Sequence, residues 1–374
     1  MRICVEHLPG AAFLAFPDMQ PLLAAELKER FGYDAGASRT AQAANASNKT
    51  IALTAAPRWY GDLLYCPDWQ LNADLASASA ALPYWACTAM LQPQLIRFDS
   101  IGEAARALKA IQRSWAPYQF QLFRRASLIQ EKLPHVNAKP RAFPLELPRS
   151  PIGLYTLLDE KTMLVSAATT SVLPAGALVF EEDHVNPPSR AYLKLQEALV
   201  LARHYFGVKL PSVGTHCFEA GACPGGWTWV LRQLGADVLA VDRAPLAPTL
   251  MADSHVEFRT HDAFTLKPAE LGTFDWVFSD VICYPSRLLD WVQLWLESGC
   301  TRNMICTIKM QGAVDWALVA QFAAIPHSRV VHLNYNKHEL TWLHVEPMRE
   351  ELLTSDSGGT TAPTAHALHA MQTA

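Results

Sequence analysis

The chain has no apolar run long enough to cross a bilayer, so the sequence does not read as that of a helical membrane protein. Its first residues carry Glu6 and His7 and form no clean signal pattern, so a cytoplasmic protein is expected. Eight cysteines are scattered at 4, 66, 87, 217, 223, 283, 300 and 306 without one C-x-x-C pair. A zinc ribbon and a dithiol redox motif are therefore unsupported, no metal cluster is visible, and reduced thiols are expected. Cys223 has no His or Asp following at an activating spacing, so it reads as a small packing residue rather than a nucleophile. Positive charge is scarce overall. A formal net charge of −4 argues against a chain that is basic all over, but leaves room for a local basic surface. The G-x-G-x-x-G spacing of dinucleotide folds is also missing.

What remains is a folded chain. Hydrophobic content is 50% and charged content 18%, and 374 residues allow two or three domains. Residues 216–242, HCFEAGACPGGWTWVLRQLGADVLAVD, organise the rest. They read as strand, glycine turn, helix, strand and acid. Gly221, Cys223, Pro224, Gly225, Gly226 and Trp227 make the turn and the helix start, Gly235 ends the helix, and Asp242 closes the second strand. Glycines let a backbone approach a ligand closely, and an acid after the second strand can bind ribose hydroxyls. Glu219, before the glycines, suits a cofactor with a cationic amino-acid end, such as S-adenosylmethionine (SAM). A dinucleotide fits the spacing less well, and a turn that binds nothing is the plain alternative.

GACPGGWT resembles the SAM loop of the FtsJ/RrmJ-type ribose 2′-O-methyltransferases, usually D-L-G-A-x-P-G-G-W-[ST]. Glu219 stands where that family usually has Asp. The likeness is strong over about 180–348 and diffuse before it. Within the family it points towards enzymes that act on a cytidine of large-subunit (23S) rRNA, with another RNA, such as tRNA or a cap, as the alternative. A non-catalytic RNA-binding or assembly factor is the rival from a different class.

The resemblance implies a Lys-Asp-Lys-Glu tetrad. Lys194 in S-R-A-Y-L-K-L, Asp280 in S-D, Lys309 in I-K-M and Glu339 in H-E-L-T fill its positions, with Glu346 as a second candidate for the last. It implies Lys309 as base, Asp280 as its positioning partner, and Lys194 and Glu339 as groups that orient the ribose and the lysine. Asp280 also ends a strand facing the ligand crevice. Asp262, after the third strand, would take the adenine amino group of SAM; a turn or N-cap aspartate is its plainer reading. Ser189, after Pro187 and Pro188, is the expected N-cap of the helix that carries Lys194.

The first half carries no comparable motif. Strands are expected at residues 4–5, 13–16, 51–53 and 63–66, helices at 19–31 and from 71 to Pro83, and a polar loop over 36–49. Residues 97–149 hold ten Lys/Arg against four acids, a local +6, interleaved with Trp115, Tyr118, Phe120, Phe123 and Phe143. Such a segment suits phosphate contact and base stacking, with Arg113, Arg124, Arg125, Lys132, Lys139 and Arg141 as candidate RNA contacts. A solvated face whose aromatics are core is the alternative. Prolines at 134, 140, 144, 148 and 151 suggest a semi-rigid connection, and residues 154–167 a hairpin around Asp159.

The expected organisation is a Rossmann-like α/β methyltransferase domain with an N-terminal α+β RNA-binding region. In residues, that is a ferredoxin-like domain over 1–90, a THUMP-like domain over 91–180, the methyltransferase domain over 181–348 and a disordered tail over 355–374.

Overall fold

The computed structural model describes residues 4–36, 56–70 and 82–347. The expected strand at 51–53, the helix beginning at 71 and the tail from 355 lie outside them.

The N-terminal half opens with β1 (Cys4–His7), β2 (Ala11–Ala15) and α1 (Gln20–Phe31), followed by β3 (Arg58–Tyr60), β4 (Leu63–Cys66) and β5 (Ala86–Met90). Strands β2 to β5 form one antiparallel sheet in the order β3-β4-β2-β5, the order of a split β-α-β arrangement. Helix α1 ends at Gly32, which takes the left-handed φ of +66° that a side chain would resist. The buried Glu26 of α1 accepts from the Tyr84 and Trp85 N–H groups at 2.8 and 3.1 Å, fixing the approach to β5. Burial raises its pKa against the opposing pull of Arg30.

Next come β6 (Gln94–Arg97), α2 (Ile101–Ile111), β7 (Trp115–Pro117), α3 (Phe123–Gln130), β8 (Gly153–Leu157) and β9 (Thr162–Ser166). They build a second sheet in the order β1-β6-β9-β8-β7. The division at residue 90 therefore does not separate two sheets. Strand β1 pairs with β6 across it, from Cys4 opposite Arg97 to His7 opposite Gln94. The expected hairpin is present as β8 and β9.

The third sheet carries the site. It is assembled from α4 (Tyr192–Phe206), β10 (His216–Ala220), α5 (Gly226–Gln233), β11 (Asp237–Asp242), the one-turn helix α6 (Pro248–Met251), β12 (Val256–Thr260), the one-turn helix α7 (Pro268–Leu271), β13 (Phe274–Ser279), α8 (Pro285–Ser298), β14 (Thr301–Lys309), α9 (Trp316–Ala324), β15 (Ser328–Val331) and β16 (Glu339–Val345). The order is β12-β11-β10-β13-β14-β16-β15; β16 is antiparallel to both neighbours and the other pairings are parallel. The inner strands β10, β11 and β13 are near-continuous apolar runs because helices cover both faces, while the edge strand β12 is largely exposed. The chain winds one way from β10 to β12 and the other way from β13 onward. The carboxyl ends of β10 and β13 thus flank a topological switch point, where open α/β sheets bind ligands. Among the described residues no helix is long and apolar enough to cross a membrane.

One buried cluster joins the first sheet to the third, running from Phe13, Trp69 and Trp85 to Phe218, Trp291 and Trp342. His332, after β15, sits between Phe16 and Trp85, with ring centroids 4.4 and 4.8 Å away. Trp316 of α9 stacks on Tyr84 and donates its indole N–H to Glu29 of α1 at 2.7 Å.

Candidate active site

The glycine turn is shaped by backbone demands. Gly221 and Gly225 have φ of +77° and +108°. Asp242 clamps the turn from the end of β11: Oδ2 accepts from the Cys223 N–H and Oδ1 from the Ala244 N–H, both at 3.0 Å. A carboxylate oxygen has two lone pairs, so each retains one for a ligand hydroxyl. A Cβ on Gly225 would meet Leu250 Cδ1 at 2.3 Å, and one on Gly221 would meet Val281 Cγ2 at 2.5 Å. These glycines serve the packing of the turn itself rather than leaving open space towards a ligand.

Two expectations change here. Cys223 is exposed, so it is not a packing residue; burial of its thiol and the nearby Asp242 raise its pKa, away from a reactive thiolate. Trp227 is buried, with its indole N–H donated to Ala191 O at 3.0 Å, so its side chain ties the turn to the approach of α4. Ser189 does not cap α4, whose N-cap is Ala191. The Ser189 Oγ is buried with no hydrogen-bond partner, held where a Cβ on Gly226 would strike it at 2.5 Å. Residues 189–191 form a turn in which the Tyr192 N–H donates to Ser189 O at 3.4 Å, and α4 begins after it.

Glu219, near the end of β10, is only 3% exposed and accepts from Thr228 Oγ1 at 2.6 Å. Burial pushes its pKa up to about 8, with Asp280 and Asp242 adding to the rise against the Thr228 hydrogen bond. Asp262 follows β12. It caps the Phe264 N–H at 3.1 Å and pairs with Arg243 at 2.6 Å and Arg287 at 3.4 Å. Its pKa is lowered: burial opposes the change, but the two arginines and the Phe264 N–H outweigh it.

Lys194, Asp280, Lys309 and Glu339 come together as two ion pairs. Lys194 Nζ meets Glu339 Oε1 in a short contact, and Lys309 Nζ lies 3.1 Å from Asp280 Oδ1. The second pair is a charge contact without hydrogen-bond alignment, since Asp280 Oδ1 is buried and accepts no aligned donor. Register joins the pairs: Lys309 ends β14 directly opposite Glu339, which begins β16. Adjacent antiparallel residues point to the same face. Burial opposes ionisation of Glu339, yet the hydrogen bond and charge of Lys194, with Lys309 further off, lower its pKa. Glu346 lies at the far end of β16 beside Arg302, away from the other three.

Sequence reasoning missed the groups that hold this face together. Glu197, three residues after Lys194 on α4, is buried and accepts from the Asn334 N–H, the Asn334 amide and the Tyr335 N–H at 2.9, 2.8 and 3.2 Å. Burial raises its pKa to about 7, against those three hydrogen bonds. Asn336 donates to Glu339 O and Thr341 Oγ1 at 3.0 and 3.1 Å. The loop that presents Glu339 is thus fastened to the helix that presents Lys194. A buried glutamate in a helix gives no periodic signal, and its partners lie more than a hundred residues away. Ile282 and Tyr284, exposed just beyond Asp280, were also overlooked.

Residues 187–304 match the FtsJ-like methyltransferase family model. This FtsJ-like segment contains Lys194, the glycine turn, Asp242, Asp262 and Asp280, while Lys309 and Glu339 lie beyond its end. Over 161 residues the chain is 40% identical to the ribosomal RNA large subunit methyltransferase M of Halorhodospira halophila, covering 42% of this chain and 46% of that protein. The protein of the same name from Alkalilimnicola ehrlichii is 35% identical over 170 residues, 43% of this chain and 46% of its own. That of Xanthomonas campestris pv. campestris is 31% identical over 218 residues, 58% of each. The chain spans about half the length of the curated relatives it matches.

The basic segment is sorted by burial. Trp115 is core, Tyr118 and Phe120 stack on each other against Gly61, and Phe143 packs edge-on to Phe180. Of the aromatics expected to stack on bases, Phe123 alone is strongly exposed, at 58%. Arg113, Arg124, Lys132 and Lys139 are exposed, while Arg125 and Arg141 are half-buried. The Arg125 guanidinium lies 5.7 Å from the Phe98 ring, with its Nε buried and unpaired.

Proposed function

We propose that the protein transfers the methyl group of SAM to a ribose 2′-hydroxyl of RNA, on a cytidine of large-subunit rRNA. The observation that carries the reading is the meeting of Lys194–Glu339 and Lys309–Asp280 at one end of a sheet whose switch point holds the glycine turn. The FtsJ-like segment and the relatives' shared name support it.

The donor set fits SAM. Glu219, Asp242 and Asp280 stand at or just past the carboxyl ends of β10, β11 and β13, which suits a cationic nucleoside with a ribose diol. Asp242 would hold the ribose hydroxyls, Glu219 the cationic amino-acid end, and Asp262 the adenine amino group. When bound, SAM supplies an electrophilic methyl on a sulfonium. The chain's residues do the rest. Lys194, fixed by Glu339, donates to the target ribose and aligns its 2′-oxygen in line with the crevice. Lys309 takes the hydroxyl proton as the oxygen attacks, a step open only to a lysine that has first given up its own proton, and Asp280 holds the side chain in place. The exposed side chains of Ile282 and Tyr284 lie beside this point, where an unpaired base can stack. The N-terminal half, read as the ferredoxin-like and THUMP-like parts of this family, holds the RNA through Arg113, Arg124, Lys132, Lys139 and Arg141.

The test is ribose-methylation mapping of rRNA from cells with and without the gene, paired with calorimetry of the purified protein against SAM. One ribose site lost with the gene and restored by adding protein and SAM to the unmethylated rRNA is expected. Identical maps, or no heat of SAM binding by the folded protein, would refute the reading.

A further inference from the structure

A cavity of about 360 Å³ lies in the N-terminal half, well apart in the chain from the crevice residues. Its walls are the β7 edge, α3, the loop through Asn137–Arg141 and residues 174–179. That volume falls in the range of about 300–1,000 Å³ typical of small-ligand pockets. Its chemistry is mixed in a specific way. Pro117 and Val179 give apolar walls, while Gln119, Asn137, Lys139 and Arg141 bring amides and cations to the same space.

These polar groups are only partly used. The Gln119 carboxamide has no hydrogen-bond partner among the described residues. Asn137 accepts from the Lys139 N–H at 3.1 Å through Oδ1, which leaves its Nδ2 free to donate. Arg141 donates to Asn137 O at 3.1 Å, and neither it nor Lys139 has an acidic partner among the described residues. A carboxamide offers both donors and a good acceptor, which suits the edge of a nucleobase, and two unpaired cations suit a phosphate.

The backbone gives a second, independent sign. Ala175 is held at a φ of +49°, a left-handed conformation that non-glycine residues resist and that recurs at ligand clamps. Its neighbour Gly176 is so close to Cys87 that a Cβ there would meet Cys87 O at 2.5 Å. The cavity wall also runs into the catalytic half. Arg141 exchanges backbone hydrogen bonds with Val179 and Glu181, and between them the Phe180 N–H donates to Tyr335 Oη at 2.8 Å. Tyr335 belongs to the loop fastened by Glu197.

We propose that this cavity takes one unpaired nucleotide of the substrate RNA, with Gln119 and Asn137 at the base edge and Lys139 and Arg141 at its phosphate. The assignment rests on the RNA-methylation reading and adds a second point of attachment away from the target ribose. A free mononucleotide shares the chemistry, but the local +6 of residues 97–149 favours a polyanion.

The experiment uses the full chain. Affinity is measured by fluorescence anisotropy for a labelled single-stranded oligoribonucleotide, for the same strand in a duplex, and for unlabelled cytidine monophosphate as competitor. Ala138→Trp should fill the cavity from its exposed rim, and Gln119→Ala removes an amide with little demand on folding. Weakening by about tenfold for the single strand is expected with Ala138→Trp, as for loss of one held base, and a smaller loss with Gln119→Ala. Duplex binding should change little. Lys139→Ala with Arg141→Ala should flatten the salt dependence by about 0.7 per phosphate released. Wild-type single-strand affinity in both Ala138→Trp and Gln119→Ala, or mononucleotide binding as tight as the strand's, would overturn the proposal. SAM binding, measured separately, tells failure of this site from failure of the methyltransferase reading.

Discussion

The two halves of the molecule use charged side chains in opposite ways. In the third sheet, Glu219, Asp242, Asp280 and Lys309 sit at strand ends, where a few residues of sequence fix both position and direction. In the N-terminal half, charges are spread over helices and loops, and their roles depend on what lies underneath. Arg124 and Arg125 are neighbours in sequence, yet one is exposed and the other has a buried, unpaired Nε. Function at a strand end can be read locally, whereas function on a helical surface must be read through burial.

The sharpest break in the comparison is Lys309→Ala. Turnover should fall by about 10²- to 10⁴-fold, with SAM affinity and thermal stability near wild type. Single-turnover methyl transfer with rRNA measures it, and a rate within a few-fold of wild type would dismiss Lys309 as the base. Trp85→Ala tests the other half, where loss of a buried indole should cost about 3–5 kcal/mol in denaturant unfolding. A cost below ~1 kcal/mol would mean that the cluster joining the first and third sheets contributes little.

Asp242→Ala should weaken SAM binding by about 1.5–3 kcal/mol, through a lost charge-assisted contact. Some of that loss belongs to the turn, because the Cys223 and Ala244 N–H groups lose their acceptor. Asp242→Asn, which keeps one acceptor oxygen, should recover part of it in calorimetry.

A smaller effect concerns Glu219. Its carboxyl ordinarily ionises near 4.5, and in the fold burial pushes this up to about 8. Between those values the folded chain holds a proton that the unfolded chain has lost, so stability should fall as pH rises through that window. A cationic cofactor prefers the ionised form, so SAM affinity should rise with pH towards about 8, with proton release detectable in buffers of different ionisation enthalpy. Glu219→Gln should flatten both profiles; unchanged profiles would remove Glu219 from the cofactor site. The smallest effect separates the two arginines. Arg124→Ala should weaken RNA binding and its salt dependence without changing the melting temperature, while Arg125→Ala should lower that temperature as well. Equal behaviour would erase the distinction drawn from their burial.

Much of the C-terminal half was legible because its inner parallel strands are apolar runs with the polar candidates at their ends. Strands β10, β11, β13 and β16 fall on apolar runs, whereas the edge strand β12 (VEFRT) is largely exposed, and the tetrad candidates come together as two pairs. What was not legible is what binds distant segments. The Glu197–Asn334 bond spans 137 positions and leaves no periodic trace. The Ser189 cap failed because packing against Gly226 claimed its side chain. In the basic segment, aromatic spacing did not distinguish a stacking platform from a core: Trp115 went inside and Tyr118 is half-buried.

The placement of His332 has a consequence for how the protein can be taken apart or rebuilt. Its ring lies between Phe16 and Trp85 and donates to Lys337 O at 3.1 Å, two residues before Glu339. Burial pulls its pKa down to about 4, so the ring is neutral and apolar enough for that seat. The N-terminal half is therefore no detachable cartridge. A chain cut near residue 180 would leave His332 and the apolar surface around it open to water, on the loop that leads to Glu339. A chimera that borrows another RNA-holding half would have to supply counterparts of Phe16 and Trp85 as well as the right charges. The boundary that matters to an engineer is the cluster of rings around His332, not the linker where the chain passes from one half to the other.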